Sequence, residues 1–542
     1  MIVGMLPIDL TQEEMCNTMA FKPKKITAIA ETKSFTPTAE QVANLRLVES
    51  EQNVKIIAAA GTGKSSSLRY IAASMPHKQF LVWCFNAANA EESNSHPDKP
   101  SNITYSTGHS TAYRKIVDTD MRKKLAPYLN YMDLPLTPKD IQEILQGMVK
   151  DYDKNTSLVK KSILDCITHF CRSDSESTIS FAEDYFYYIF KTKALAEGTL
   201  CLGNDAISLL TVIAEEYWSD LIDRKHPAKI THDVYLKMFQ LAKFIVDDIY
   251  DKSAKTFVRP DIICMDESQD LNPVMESIFS IQPHQKLLIG DPYQQLYAWR
   301  GAGNAMNHFK DYAVGYLTES FRFNTGIADM ANLILRRVGS DMVVKGSSTK
   351  TEITSHAHLC RTNASVVNRI FAELGSGKKV YTSIKISDIF SKLYHMHSCW
   401  YNERPKYPSK ELEAITDKES LIKALEYSEE LQRLNTLRLH LTAGGKTLTS
   451  AKKDLDSILV NTPEEANIVI STIHCAKGLQ WAHVVIDDDF LTIREDDIED
   501  YVIEDMWNTS SLTSLIYVAI TRAEVDCIVP WYLEGLFKKE ES

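Results

Sequence analysis

The stretch Ala58-Ala59-Ala60-Gly61-Thr62-Gly63-Lys64-Ser65 carries the clearest chemistry in the chain. It closes an apolar run, VKIIA, and opens a helix-forming segment, SSSLRYIAASM. Glycines at 61 and 63 let the backbone fold with its N–H groups turned inward, at a helix N-terminus that favours anions. A lysine at the end of such a loop reaches the β- and γ-phosphates of a nucleotide, and the hydroxyl that follows it serves Mg²⁺. The expected phosphate contacts run from Ala60 through Lys64 and Ser65 to Ser66. Ala58 stands where the general pattern has its first glycine. A second run, Gly375-Ser376-Gly377-Lys378, lacks both the hydroxyl after lysine and a following helix former, so it reads as a turn.

Asp266-Glu267-Ser268-Gln269-Asp270 follows the apolar run DIICM. An aspartate at such a strand end can hold Mg²⁺, and an adjacent glutamate can orient and deprotonate an attacking water. With the loop, this box implies ATP hydrolysis through Lys64, Asp266 and Glu267, with ATP and Mg²⁺ required and Ser65 and Asp266 as the metal-holding pair.

The elements that must position these groups are short apolar runs, each ending in a polar or glycine-rich turn. They are VKIIA, QFLVWCFN (79–86), DIICMDESQD (261–270), KLLIGDPYQQ (286–295), ANIVISTIHCAKG (466–478) and DCIVPW (526–531). Continuous apolar runs of this length fit strands buried on both faces of a parallel sheet, whose C-terminal ends are where such sheets place ligands. Residues 116–255 lack strand signals and read as a helical insertion, with the aromatics of YFYYIF (185–190) in its core. Residues 371–464 read as a second insertion, with one helix over KESLIKALEYSEELQRLNTLRLH (418–440). His395, His397 and Cys399 alternate as they would on one face of a strand, which is the preferred reading over a ligand set. The acidic run 487–505 reads as a solvated surface.

Composition sets the outer limits. At 542 residues the chain should form three or four compact units, and its 44% hydrophobic and 24% charged fractions are those of an ordinary globular protein. No apolar run approaches the ~18 residues needed to span a bilayer, and the N-terminus lacks the basic and apolar regions of a signal peptide. The ten cysteines form no CxxC pair, which points to free thiols in a reducing compartment. A net charge of −12 does not advertise nucleic-acid binding. A channel that grips one strand needs only local positive charge and stacking platforms, however.

Four further runs occur in order: GDPYQQLYAWRGA (290–302), LTESFRF (317–323), STIHCAKGLQW (471–481) and IYVAITRA (516–523). Together with the loop and the DESQD box they resemble the helicase motifs of the UvrD/Rep family of superfamily 1. Within that family the likeness is to the F-box DNA helicase branch, supported by ITHDVYLKMFQL (230–241), TGHSTAY (107–113) and LCRTNA (359–364). The resemblance extends from about Gln41 to Ala523, and no F-box-like segment is expected ahead of the motor.

That resemblance implies an α/β fold of two RecA-like parallel-sheet domains, each with a largely helical insertion, and ATP between them. The expected partition is 1–115 with 256–315 for the first domain, 116–255 for its insertion, 316–370 with 465–542 for the second, and 371–464 for its insertion. It implies that Gln41 reads the adenine edge, Phe321 stacks on the base, and Gly478 and Gln480 lie beside the nucleotide. Gln294 would sense the γ-phosphate, and Arg322 and Arg522 would reach it as arginine fingers. DNA contacts are expected at Phe85, Asn86, Thr107, His109, Thr472 and His474, with stacking at Tyr297 and Trp299 beside Arg300.

The function implied is a 3′ to 5′ DNA helicase or single-strand translocase in replication, recombination or repair. Rival readings are a translocase that clears recombinase or other proteins from DNA, and a non-catalytic ATP-dependent clamp. Expected partners are single-stranded DNA and single-strand/double-strand junctions, with recombinase or replication proteins as candidates and the chain itself a monomer. No membrane association is expected; the location would be cytoplasmic in a bacterium or virus-infected cell, and nuclear in a eukaryote. Three departures from the family pattern stand out. Gln480 replaces a glutamate, Ser511-Leu512 an acidic pair, and Glu524 a lysine.

Overall fold

The computed structural model describes residues 36–121, 125–145, 152–194, 200–251, 255–296, 305–406, 408–412, 415–490 and 510–533. These form two compact units, one of residues 36–57 with 64–316, the other of 58–63 with 317–533. The phosphate loop therefore contributes to both: its first half clusters with the second unit, and Lys64 with the first.

The first unit is built on β1 (Val54–Ala58), β2 (Phe80–Trp83), β3 (Ile103–Ser106), a short hairpin of β4 (Ile249–Asp251) and β5 (Thr256–Val258), then β6 (Ile262–Met265), β7 (Gln285–Gly290) and β8 (Ala313–Leu317). Six of these make one sheet in the order β3-β2-β6-β7-β1-β8. The ladders among β3, β2, β6, β7 and β1 are all parallel. Every residue of β2 and β6 is buried, as strands covered on both faces require.

Helices Tyr152–Arg172, Thr178–Tyr187, Asn204–Ile222 and His232–Leu241 share one continuous apolar core with the sheet, where Phe170, Phe186 and Trp218 join Leu81, Trp83 and Ile263. Within YFYYIF only part of the core expectation holds. Phe186 and Phe190, four apart, point inward, while Tyr187 and Tyr188 are more than half exposed. The hairpin β4–β5 corrects the strandless reading of 116–255; three-residue strands are too short to give a periodic signal.

The second unit carries a two-stranded parallel ladder of β9 (Glu319–Ser320) and β10 (Lys345–Gly346). Its main sheet comprises β11 (His356–Cys360), β12 (Val380–Tyr381), β13 (Ile468–Thr472), β14 (Trp481–Ile486) and β15 (Ala523–Ile528), in the order β12-β13-β11-β14-β15 and parallel throughout. The α/β class with two parallel sheets is thus as the sequence implied. Helices Asn363–Ala372, Ile386–Trp400 and Glu429–Leu441 pack into a core with Cys360, Val380 and Ile470.

Two local readings need correction here. The segment 418–440 is two helices, Lys418–Tyr427 and Glu429–Leu441, because Ser428 is extended (φ −128°, ψ 108°) and its hydroxyl accepts from Leu431 N–H as an N-cap. His395 and Cys399 lie on the helix Ile386–Trp400, not on a strand. Being four apart they share a helical face, and both donate to Ile415 C=O, while His395 Nδ1 accepts from Ser409 N–H. Both ring nitrogens of His395 are therefore engaged by structural partners. The His/Cys/Asp donors that do converge among the described residues are His358, Cys360 and Asp487, within 4.8 Å of one another, with His358 and Asp487 hydrogen-bonded at 2.7 Å.

Candidate active site

In the first unit, the sheet order sets β6, β7 and β1 side by side, so the turns that leave their C-terminal ends are neighbours. Lys64 begins the helix Lys64–Ser74 and its Nζ lies 3.3 Å from Glu267 Oε1. Burial alone would lower the lysine pKa, but Glu267, Asp291 and Asp266 outweigh it and hold the ammonium above its ordinary value. The carboxylates feel the reverse. Burial, then the adjacent Glu267 charge, raises Asp266 to about 6, against the pull of Lys64. Burial also raises Asp291.

Glu267 sits in the left-handed region (φ 50°, ψ 43°), a conformation that costs a non-glycine residue about 1–3 kcal/mol. Its geometry is held by Gln269, which is fully buried. Gln269 Nε2 donates to Glu267 Oε2 at 2.6 Å, and Gln269 Oε1 accepts from Asp291 N–H at 3.0 Å. Asp291 Oδ2 in turn accepts from Gln294 Nε2 at 2.6 Å. The approach requires glycine at 290, where a Cβ would stand 2.4 Å from Gln269 Oε1. One chain of hydrogen bonds thus joins the two boxes DESQD and GDPYQQ.

The donor set suits a hard divalent cation. Asp266, Glu267 and Asp291 crowd negative charge around a single ammonium, and a carboxylate raised to about 6 marks anionic oxygens short of positive partners.

In the second unit, Gly61 and Gly63 both have positive φ (73° and 79°) and Thr62 Oγ1 donates to Ala59 C=O at 2.8 Å. Phe321 N–H donates to Gly61 C=O at 2.9 Å. A Cβ on Gly61 would meet Arg322 Cβ and Ser320 Oγ at 2.5 Å, so only glycine admits this packing. Phe321 is half exposed beside the loop. Arg322 donates from Nε to Gln480 Oε1 and from Nη1 to Thr521 C=O, each at 3.0 Å. Arg522 differs: it is 1% exposed and donates from Nε to Val518 C=O, from Nη1 to Leu479 C=O and from Nη2 to Thr521 Oγ1.

A model of the UvrD/REP helicase N-terminal domain matches residues 38–312, half of the chain. The chain belongs to the UvrD/Rep helicase family. It is also similar to F-box DNA helicase 1 of Gallus gallus, at 26% identity over 90% of this chain and 48% of that protein. It is similar to F-box DNA helicase protein 1 of Schizosaccharomyces pombe, at 24% identity over 94% of this chain and 59% of that protein. The chain thus spans about half the length of these curated relatives. No helix among the described residues is long and apolar enough to cross a membrane.

The other expected contact residues of this UvrD/Rep-family chain are placed as follows. Phe85 is 40% exposed at the end of β2. Asn86, Thr107 and Thr472 are N-caps, accepting from Asn89, Ser110 and Cys475 N–H at the starts of the helices that follow β2, β3 and β13. His109 lies 3.8 Å from Asp233 and packs edge-on against Tyr235. Burial works to raise Asp233, but His109 and the Arg172 guanidinium hold its carboxylate well below the usual range. His474 is half-buried, and Gly478 is exposed at positive φ. Gln41 is 2% exposed; its Oε1 accepts from Thr38 N–H and its Nε2 donates to Ser67, completing a capping box. The adenine-reading expectation thus meets an amide already engaged on both sides. Tyr297, Trp299 and Arg300 lie outside the described residues.

Sequence reasoning passed over Gln269 and Asp291. The available signal was that both are polar residues at strand ends otherwise made of apolar runs, where a buried polar group must be there for a partner.

Proposed function

We propose that this chain is an ATP-dependent DNA helicase that moves 3′ to 5′ along single-stranded DNA and hydrolyses ATP with Mg²⁺. The observation that carries the hydrolytic part is the linked set Lys64–Glu267–Gln269–Asp291–Gln294. A loop that only binds nucleotide has no use for a glutamate held in strained backbone beside the lysine. A passive clamp is disfavoured for that reason.

Each residue then has a task. The Lys64 ammonium, charged across the working range, neutralises the outer phosphates and in doing so exchanges Glu267 for phosphate oxygens. Glu267, released from that pair, accepts the proton of the attacking water. Ser65 and Asp266 would hold Mg²⁺, which would supply charge neutralisation at the phosphates. Any shift of Glu267 is passed through Gln269 and Asp291 to Gln294, at the head of the segment expected to carry the stacking aromatics. Arg322, packed on Gly61, offers a guanidinium to the transferring phosphoryl group, and Arg522 is read as the second such arginine. Phe85 serves as an exposed stacking surface for bases. DNA as the polymer, 3′ to 5′ polarity and the partition into two domains with insertions at 116–255 and 371–464 are carried over from the family likeness and from the relatives' names. The eukaryotic relatives favour a nuclear location.

The test is DNA-stimulated ATP turnover together with strand displacement on duplexes bearing 3′ or 5′ overhangs. Wild type should turn over ATP and unwind from the 3′ overhang, and Lys64→Ala should do neither while remaining folded. Unwinding from the 5′ overhang alone would overturn the polarity, and turnover surviving in Lys64→Ala would overturn the site.

A further inference from the structure

We infer that Glu524 is a positioning residue for Arg322, acting through the side-chain amide of Gln480. The inference rests on the reading of Arg322 as a phosphate-directed arginine and adds the device that aims it. Gln480 Oε1 accepts from Arg322 Nε at 3.0 Å, and Gln480 Nε2 donates to Glu524 Oε1 at 2.8 Å. The same carboxylate oxygen accepts from Lys350 Nζ at 2.6 Å. Arginine can only donate and a carboxylate only accept, so the amide of Gln480 has one orientation that satisfies both. Glu524 thereby fixes which end of Gln480 faces Arg322.

The backbone brings the three residues together. Trp481 and Ala523 are partners in the β14–β15 ladder, and Trp481 N–H donates to Arg522 C=O, which sets Gln480 and Glu524 at adjoining strand starts. Asn324, two residues after Arg322, donates from its backbone N–H to Glu524 C=O and from Nδ2 to Val525 C=O. Glu524 is 8% exposed, so its carboxylate depends on these partners, whereas Gln480 is exposed and its replacement leaves the core intact. With Nε on Gln480 and Nη1 on Thr521 C=O, the plane of the Arg322 guanidinium is set by the protein. The two residue types are also interdependent: a glutamate at 480 would face the Glu524 carboxylate across a hydrogen-bond distance. Two of the departures noted in the sequence are therefore the two ends of one interaction.

The experiment is steady-state DNA-stimulated ATPase on the full chain, with kcat and KM for ATP measured separately. Glu524→Ala and Gln480→Leu should each lower kcat by about fivefold to twentyfold and move KM less than about twofold. In an Arg322→Ala background, itself slower by on the order of 10³, neither should cost anything further. Gln480→Glu should lower kcat by a similar factor, and adding Glu524→Gln should restore it to within about threefold. Costs that multiply with Arg322→Ala, or no rescue of Gln480→Glu, overturn the inference and leave the site reading intact. If Arg322→Ala leaves kcat unchanged, the reading of the arginine falls, and this inference with it.

Discussion

Replacing Asp266 by asparagine should stabilise the protein while destroying its proposed activity, and the stabilisation should depend on pH in a defined way. The Asp266 carboxyl is raised from 3.8 to about 6 by burial and by Glu267 beside it. A carboxyl whose folded-state pKa lies above its unfolded value is costly to ionise in the folded protein. Below pH ~4 the group is protonated in both states and the cost is absent; it grows between pH ~4 and ~6, and is complete above ~6. At about 1.36 kcal/mol per pH unit, the separation corresponds to roughly 3 kcal/mol at most. The amide in Asp266→Asn keeps the oxygen that accepts from Glu267 N–H, at 2.9 Å in the wild type, so the local turn should survive. Urea unfolding of Asp266→Asn and wild type, without nucleotide or Mg²⁺, should show the variant more stable by up to that amount at pH 7.5, with the gap closing by pH 4. The same variant should lose Mg²⁺-dependent ATP turnover. A gap that is absent at pH 7.5, or unchanged at pH 4, refutes the charge-crowding account of this site.

Gln269→Leu keeps the buried volume but strands the Asp291 N–H. It should cost about 1–3 kcal/mol in stability and lower kcat with little change in KM for ATP, measured by calorimetry and steady-state ATPase. The two arginines should separate cleanly. Arg322→Ala should reduce turnover at nearly unchanged melting temperature, whereas Arg522→Ala, which removes a buried guanidinium donating to Val518 and Leu479 C=O, should lower both. Phe85→Ala should weaken single-strand binding by about 1–3 kcal/mol in a fluorescence titration, with stability and ATP affinity held.

The sequence named the strands that bear chemistry and missed most of those that do not. β1, β2, β6, β7 and β13 were legible because each apolar run ends in a polar box. β3 (ITYS) and β11 (HAHLC) were not, because a histidine or threonine every second residue looks like an ordinary half-exposed segment until both faces are covered. Among site residues, Lys64, Asp266 and Glu267 could be named from type and spacing, since the chemistry demands those groups in that order. Gln269 could not, because its value lies in contacts to Glu267 and Asp291, and the latter is 22 residues away. Caps were legible in part. Asn86, Thr107 and Thr472, where the family likeness implies DNA contacts, each also accept from the helix they start. The Thr38-x-x-Gln41 box is readable from sequence as an N-terminus signal.

Strain and charge crowding at Glu267 and Asp266 persist because the segment around them leaves the chain nowhere else to go. β6 is buried along its whole length and paired on both sides, with β2 and β7, and Asp266 N–H still donates to Trp83 C=O after the strand has formally ended. On the other side of the turn, Ser268, Gln269 and Asp270 are buried, and Asp270 N–H donates to Glu267 C=O. With both flanks fixed, the two acidic residues must bridge them in whatever conformation fits, and that conformation is left-handed at Glu267. Relaxing the strain would require unpairing β6, at the cost of a central strand, which far exceeds the few kcal/mol stored. A stable core thus holds an unfavourable pair of carboxylates beside a lysine. Exchange of partners among those three charges then leaves the buried strands in place and is felt along the hydrogen bonds from Glu267 through Gln269 and Asp291 to Gln294.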